Sequence, residues 1–331
     1  MFSKKLLAWY DKEKRDLPWR NKTPNPYHTW LSEIMLQQTT VATVIPYYNE
    51  FLEKWPSVQD LAAASLDEVL VQWQGLGYYS RARNLYKCAQ ALTQTFPNKE
   101  EELLKLPGIG PYTAAAIASI AFDQKAAAVD GNVVRVMSRY LALNTLKPIE
   151  DVKEKLKALL PPTRCGDFTQ ALMELGALVC RPKSPLCISC PLQKNCQAYT
   201  LGKAEDFPLK VPKQKLPTRY ATAFILKRKE DGAILLRKRP PQGLLGGMME
   251  VPTTLWSATK GTGKGPIVKH TFTHFHFEVE VCHLADPSGF EGIWVLPRDL
   301  KNYALPTVMK KIIKAGLITP SQAQNFSGDG V

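Results

Sequence analysis

Leu106-Pro107-Gly108-Ile109-Gly110 is the stretch that decides the fold of this chain of 331 residues. It lies between two segments of helical periodicity, Ala82–Thr95 and Thr113–Phe122, and its paired glycines allow a tight turn. Such a turn leaves backbone N–H groups open at the start of the next helix, where they can bind a phosphate. An ordinary helix–helix connection is the alternative, and a Gly-x-Gly pattern alone does not separate the two.

Outward from this turn, apolar residues recur at helical spacing from Lys4 to about Tyr199, which predicts an all-α domain over residues 1–200. The helical segments are Trp30–Val44, Leu66–Trp73, Ala82–Thr95, Thr113–Phe122, Val133–Leu143 and Phe168–Val179. Residues 201–218 contain three prolines and four lysines without periodicity, and we interpret them as a linker.

A second domain is predicted over residues 219–318. Its segments are the strands Arg219–Leu226, Ala233–Arg237 and Thr271–Cys282 and a closing helix at Val308–Ala315. These elements predict an α+β domain, so the chain as a whole is mostly α. Residues 319–331 are polar and contain glycine, which predicts a disordered tail.

Composition favours a nucleic-acid partner. The formal net charge is +13 and the pI is near 9.3, as expected of a protein that binds DNA or RNA, although a basic protein can equally bind acidic membranes or simply stay dissolved. No apolar run reaches membrane-spanning length. Without a charged-then-apolar signal segment at the start, we expect a cytoplasmic, nucleoid-associated protein of bacterial type and no membrane partner.

Four cysteines, Cys180, Cys187, Cys190 and Cys196, follow one another as C-x6-C-x2-C-x5-C. One short pair with two wider gaps favours a [4Fe–4S] cluster, since structural zinc usually has two short pairs separated by a longer stretch. Zinc remains the main alternative. Disulfides are disfavoured, because the other cysteines are scattered singly and no signal segment precedes them.

The turn, Tyr112 within the next helix, Asp130-Gly131-Asn132-Val133 and the cysteine set occur in an order that resembles the helix-hairpin-helix glycosylases of the endonuclease III superfamily. The resemblance covers residues 4–200. In the bifunctional members the turn continues to a lysine that forms a Schiff base, and Tyr112 stands at the matching position here. The resemblance therefore implies glycosidic cleavage by water without an efficient lyase step.

The segment from Trp30 to Thr39, with Glu33 and two adjacent glutamines in an apolar stretch, resembles the MutY adenine glycosylases specifically, as does Gly75-Leu76-Gly77-Tyr78-Tyr79. Packing gives no reason for those polar groups, although capping or a solvated helix face is the alternative. The resemblance implies that Glu33 is the general acid at adenine N7, kept protonated by its apolar neighbours. Asp130 would stay ionised and stabilise the oxocarbenium-like sugar, electrostatically or by transient covalent capture.

The remaining residue roles also follow from the resemblance. Tyr112 and Asn132 would position the acid and the nucleophile, and Glu174 would contact the flipped adenine. The residues matching the pocket walls are Arg15, Trp19, Leu36 and Val41, for which a place in the core is the alternative. Those expected to contact DNA are Gln38 and Tyr78 in the base stack, Gly108 and Gly110 in the turn, and Arg181 and Lys183 at phosphates.

Residues 221–252 are similar to the Nudix-like C-terminal domain of the same glycosylases. The chain lacks an Arg-Glu-x-x-Glu-Glu run, so this domain would recognise an oxidised purine without hydrolysing it. Phe272, Thr273 and His274 match the loop that reads 8-oxoguanine, with Thr273 where serine is usual. A metal site is the alternative, since His270, His274 and His276 would share one strand face.

These observations predict a monofunctional adenine DNA glycosylase that acts, as a monomer, on double-stranded DNA with adenine mispaired with 8-oxoguanine or guanine. Another mismatch glycosylase of the superfamily, for thymine or uracil, is one alternative. A DNA-binding protein that senses lesions without turnover is the other. An adenine-release assay separates all three.

Overall fold

The structure is a computed structural model, and it describes residues 1–92, 95–209, 215–260 and 265–318. The predicted disordered tail at 319–331 lies outside the described residues, as do 210–214 of the predicted linker and 93–94 of a predicted helix. Within the described ranges, no helix is long and apolar enough to cross a membrane.

Helices dominate the chain up to residue 200, which confirms the predicted mostly-α fold class. They are α1 Phe2–Glu13, α2 Pro26–Leu36, α3 Val41–Lys54, α4 Val58–Ala63, α5 Leu66–Gln72, α6 Ser80–Ala91, α7 Glu100–Leu103, α8 Pro111–Phe122, α9 Gly131–Tyr140, α10 Pro148–Lys157, α11 Cys165–Leu178 and α12 Gln197–Thr200. Helix α11 packs against α1, α8 and α9 and buries an apolar core that includes Leu6, Val133, Phe168 and Leu172.

The C-terminal residues form two small sheets and a closing helix, as the α+β prediction requires. The strands are β1 Thr218–Leu226, β2 Ile234–Lys238, β3 Met249–Glu250, β4 Ile267–Thr271, β5 His276–Leu284 and β6 Ile293–Val295, and the helix is α13 Thr307–Ile318. One sheet has the order β1-β5-β4, with β1 parallel to β5, and the other has the antiparallel order β3-β2-β6. No α-helix lies between β1 and α13 in the part of this region that the structure describes.

The chain divides by its contacts into two units. One comprises the described residues of 1–63 and 84–212, and the other those of 64–83 and 213–331. We call them the helical unit and the C-terminal unit. The segment 64–83, which contains α5 and Tyr78, therefore belongs with the C-terminal residues by its contacts. The domain boundaries given above remain a prediction.

The hairpin forms as its glycines predict. Helix α8 begins directly after the turn, with Pro111 at its first position. Gly108 has φ +74°, and a Cβ there would lie 2.5 Å from the Cβ of Asn84 on α6. The turn therefore requires glycine at 108 both for its backbone conformation and for its close approach to α6.

The prediction of one helix over Trp30–Val44 is wrong. Helix α2 ends at Leu36 and α3 begins at Val41, with Thr40 as the N-cap that accepts a hydrogen bond from the amide of Thr43. Between them, Gln38 has φ +58°, which no α-helix accommodates. Apolar spacing continues across this break, so periodicity alone did not show it.

The prediction of one strand over Thr271–Cys282 is also wrong. Strand β4 ends at Thr271, and β5 begins at His276 and returns antiparallel to it, with Thr271 opposite His276. His274 lies in the connecting turn, so the three histidines do not share one strand face. Among the described residues, these three histidines belong to no group arranged to hold a metal ion.

Candidate active site

A cavity of about 860 Å³ in the helical unit brings together the predicted catalytic and pocket residues. Segments far apart in sequence contribute to it: the N-terminal residues before α2, helix α2 and the loop after it, and the starts of α8 and α9. The predicted residues that line it are Arg15, Trp19, Glu33, Leu36, Gln38, Val41, Tyr112, Asp130, Asn132 and Glu174. The structure thus assembles these residues at one place.

Glu33 is a buried carboxyl group in a helix that is buried on most of its faces. Asn25 caps α2 and fixes its start, and the side chains from Thr29 to Met35 are all buried. Burial raises the pKa of Glu33 to about 7, although the hydrogen bond from the Tyr112 hydroxyl to Oε2, 2.6 Å long, works in the opposite direction. A carboxylic acid with this pKa can carry and release a proton near neutral pH.

Asp130 is held in one orientation by α9, of which it is the N-cap. Its Oδ1 accepts a hydrogen bond of 2.7 Å from the amide of Val133, and its Oδ2 accepts one of 2.9 Å from Nδ2 of Asn132. Gly131 leaves open space beside the cap, since a Cβ there would meet no atom within 4 Å. The Asp130 carboxylate is therefore fixed at the cavity wall.

Arg135 connects this pair to the start of the cysteine loop. Its guanidinium donates to Oδ1 of Asn132 and to the carbonyl of Gly176, both at 2.7 Å, and to the carbonyl of Cys180 at 2.8 Å. Burial lowers the pKa of Arg135 from its usual value, yet its donors are satisfied by these acceptors. Asn132 is thus positioned by the chain segment that carries the first cysteine.

Glu174 also lines this cavity, and it is 1% exposed in a network with two arginines. Nε and Nη2 of Arg15 donate to its two oxygens, each at 2.8 Å, and Nη2 of Arg20 donates to Oε2 at 2.9 Å. Burial alone raises the pKa of Glu174, but these hydrogen bonds together lower it to about 2. The carboxylate is therefore a fixed anion at neutral pH.

We expect Glu174→Gln to destabilise the protein by about 3 kcal/mol, because it leaves two arginines without their shared buried anion. This difference in stability between Glu174→Gln and the wild type should disappear at low pH. The native pKa is depressed below the ordinary 4.5, so the contribution of Glu174 is complete above about pH 4.5 and is lost as the pH falls through 2. Urea unfolding from pH 7 to below pH 2 measures this, with exposed Glu154→Gln as the control. Equal stability of the two variants at pH 7 would contradict the network's role.

Sequence reasoning did not identify Leu17, Arg20 and Arg139. Leu17 and Arg20 line the cavity beside the predicted Arg15 and Trp19, and a second arginine in that short segment was the available signal. Arg139 is 2% exposed on α9. A charged residue at a position where the helical period calls for an apolar one was the signal there.

The four predicted cysteines line one small cavity in the helical unit. Arg139 also lines this cavity. Its guanidinium donates to the carbonyls of Arg181 at 2.7 Å and Pro182 at 3.0 Å, and its Nη1 lies 3.4 Å from Sγ of Cys180. Burial raises the pKa of the Cys190 thiol to about 11. Four soft sulfur donors around one cavity, beside a buried guanidinium, suit a metal-sulfur group that carries negative charge.

A second cavity, of about 750 Å³, lies wholly within the C-terminal unit, and we call it the aromatic cavity. It is lined by Tyr78 and by Phe272, Thr273 and His274. Oγ1 of Thr273 donates a hydrogen bond of 3.0 Å to the hydroxyl oxygen of Tyr78. Tyr78 is 44% exposed and has φ +47°. The predicted stacking residue and the predicted base-reading loop therefore meet here, whereas Gln38 lines the other cavity and Gly108 and Gly110 line neither.

The fold and the site define a class of protein. Residues 31–162 match the HhH-GPD superfamily of base excision DNA repair proteins, and residues 222–315 match the NUDIX domain. The solved structure of a thermostable thymine-DNA glycosylase superposes with a TM-score of 0.56 and 32% identity, covering 60% of this chain and 95% of that one. The helical part is thus of the helix-hairpin-helix glycosylase type.

Relatives in sequence narrow the class. An adenine DNA glycosylase of Buchnera aphidicola subsp. Acyrthosiphon pisum is 34% identical over 95% of this chain and 97% of its own length. One of Arabidopsis thaliana is 39% identical over 83% of this chain, and the chain spans about half of its length, 51%. The chain belongs to the adenine DNA glycosylase family.

Proposed function

We propose that the protein is a monofunctional adenine DNA glycosylase that removes adenine mispaired with 8-oxoguanine or guanine. The observation that carries the proposal is the pairing of a buried acid, Glu33, with a fixed carboxylate, Asp130, at the wall of one cavity. Family membership and the basic charge of the chain support double-stranded DNA as the partner. The adenine reaches the cavity by leaving the duplex stack, because its glycosidic bond is inaccessible inside it.

Protonation of adenine is the task of Glu33. Tyr112 donates to Oε2, which leaves Oε1 to carry the proton toward N7 of the base. The C1′–N9 bond then breaks, with its electron pair going to the protonated adenine, and the sugar becomes cationic. Asp130 stabilises this cation, electrostatically or by transient covalent capture. Water completes the step by adding hydroxide to C1′, and its proton returns to the ionised Glu33.

The monofunctional assignment rests on Tyr112. The hydroxyl of Tyr112 donates a hydrogen bond to Glu33, and the side chain has no amine. It therefore cannot form the Schiff base through which bifunctional members cleave the strand. A duplex with adenine opposite 8-oxoguanine, under single-turnover conditions, tests this directly. Strand breaks that require alkali support the proposal, and breaks without alkali would mean a lyase nucleophile elsewhere. A duplex with a mispaired thymine tests the rival glycosylase, and binding without release of either base would leave a lesion-binding protein.

The fixed anion Glu174 supports adenine as the base. Its two oxygens accept four hydrogen bonds from Arg15 and Arg20, so contact with adenine would exchange one of these for a hydrogen bond from the exocyclic amine of the base. Trp19, Leu36 and Val41 supply apolar contact on the same cavity. We further propose that the protein acts as a monomer, since one chain contains all of these residues.

We propose a [4Fe–4S] cluster on Cys180, Cys187, Cys190 and Cys196, where it would supply a rigid crosslink of the loop and leave the chemistry to the residues above. The purified protein is expected to contain about four iron and four acid-labile sulfide per chain. Cys190→Ser should lose the iron and the sulfide. Cys282 is not one of the four cysteines, so Cys282→Ser should keep both. Zinc without sulfide would overturn the assignment.

We propose that the Phe272–His274 loop reads the partner base of the mispair. The hydroxyl of Thr273, which donates to Tyr78 at 3.0 Å, can turn to an inserted 8-oxoguanine instead. Replacing Thr273 and His274 by alanine is expected to narrow the preference for 8-oxoguanine over guanine by about 10-fold, since one or two hydrogen bonds are lost. Thr273→Ser keeps the hydroxyl and should keep the preference. The ratio to measure is that of the single-turnover rates with 8-oxoguanine and with guanine opposite the adenine. If this ratio is unchanged in the alanine variant, the loop does not read the partner base.

A further inference from the structure

The aromatic cavity has a charge pattern that base recognition does not explain. Its lining residues include Arg83, Arg219, His270 and His274 but no aspartate or glutamate among the residues that the structure describes. An oxidised purine is neutral, so it gives no reason for two guanidinium groups around it. The pattern suits a ligand that carries negative charge.

The two arginines are in different situations. Arg83 is structural: Nη1 donates to the carbonyl of Gly246 at 2.8 Å and Nη2 to that of Gly243 at 3.2 Å, which braces the turn at the cavity's edge. Arg219 is exposed at the start of β1, and its guanidinium carbon lies 4.6 Å from the centroid of the Phe275 ring. None of the described carboxylates lies within ion-pair distance of Arg219.

The platform under Arg219 is rigid. Phe275 is 6% exposed and packs on Phe272, with ring centroids 4.8 Å apart, and on Trp256, at 6.2 Å. A guanidinium stacked on such a ring keeps its N–H edge directed outward, so the side chain loses little freedom when it binds. Planar N–H pairs of this kind match the two free oxygens of a phosphate.

We propose that Arg219 is a phosphate-binding residue, which takes a backbone phosphodiester of the DNA strand opposite the adenine, next to the base that Thr273 contacts. The inference deepens the function proposed above and rests on it. A phosphate contact positions the strand in the aromatic cavity but carries no information about the base. Arg219 therefore contributes to affinity for every duplex, and Thr273 to the choice between partner bases.

The test is equilibrium binding of the full chain to duplexes with 8-oxoguanine or guanine opposite a non-cleavable adenine analogue, over a range of KCl concentrations. Arg219→Ala should weaken binding to both duplexes by the same factor, about 10-fold, and reduce the slope of log K against log [KCl] by about 0.9, the value for one phosphate. Arg219→Lys keeps the charge and should recover most of the slope. Arg298 is 81% exposed and lies outside the cavity, so Arg298→Ala should leave the affinity and the salt slope unchanged.

Three results would overturn the proposal. The first is an unchanged salt slope in Arg219→Ala when its circular dichroism is native. The second is a loss of affinity that is confined to the 8-oxoguanine duplex. The third is saturable binding of free 8-oxo-dGMP that depends on Arg219, while Arg219→Ala has no effect on duplex binding. The last would assign the phosphate site to a nucleotide. If the wild-type protein releases no adenine, the proposed function fails, while the comparison of salt slopes still decides the role of Arg219.

Discussion

Glu33→Gln is expected to slow single-turnover adenine release by at least about 1000-fold, because the amide N–H is far too weak an acid to protonate N7. Glutamine has nearly the same volume and still accepts the hydrogen bond from Tyr112, so the fold and the cavity should persist. Binding to a duplex with a non-cleavable adenine analogue should change by less than about 2-fold. Exposed Glu53→Gln is the control. A Glu33→Gln protein that releases adenine at the wild-type rate would remove Glu33 from the mechanism.

The pH dependence gives a second measure of the same acid. In the proposed mechanism Glu33 acts in its protonated form. Burial raises its pKa to about 7, so the rate should be flat at lower pH and fall as the pH rises through 7. Tyr112→Phe removes a hydrogen bond that lowers this pKa, and the break in the profile should therefore move to higher pH. A break that stays in place would show that another group controls it.

Asp130→Asn is expected to reduce adenine release by at least about 100-fold, because a neutral amide does not stabilise the developing sugar cation. Asparagine is as good an N-cap as aspartate, so the amide of Val133 keeps its acceptor and α9 keeps its start, while the hydrogen bond from Nδ2 of Asn132 is lost. The melting temperature should fall less than in a variant that also removes the cap.

Asp130→Ala separates the two roles of the residue. It removes both the charge and the cap, and should cost about 1 kcal/mol of stability in addition to the loss of rate. Together the two variants assign the rate to charge and the stability to capping. If Asp130→Asn were fully active, the carboxylate would have no part in catalysis.

Local signals in the sequence predicted the hairpin well. Gly108 is required by a turn with positive φ and by its approach to α6, and Pro111 marks the start of α8. The break between α2 and α3 was harder to predict, because apolar spacing continues through Gln38 and only Thr40 indicates a new N-cap. The turn between β4 and β5 contains no glycine, proline or asparagine, so alternation concealed it.

Contacts between distant residues were beyond prediction from the residues alone. Glu174 is paired with Arg15, 159 positions away, and no local pattern names that partner. The same holds for Arg135, whose acceptors on Gly176 and Cys180 become its neighbours only when α9 and α11 pack. The site residues were placed in advance by resemblance to a family, and the network that holds them was learned from the structure.

The double use of Asp130, as helix cap and as the carboxylate at the cavity, has a consequence for variation at this position. A codon change to asparagine would preserve the cap, and with it the start of α9, while removing the charge. We expect the product of such an allele to fold and to bind DNA. Sequence surveys and stability screens would count it as intact, and only an assay of base release would identify it as inactive.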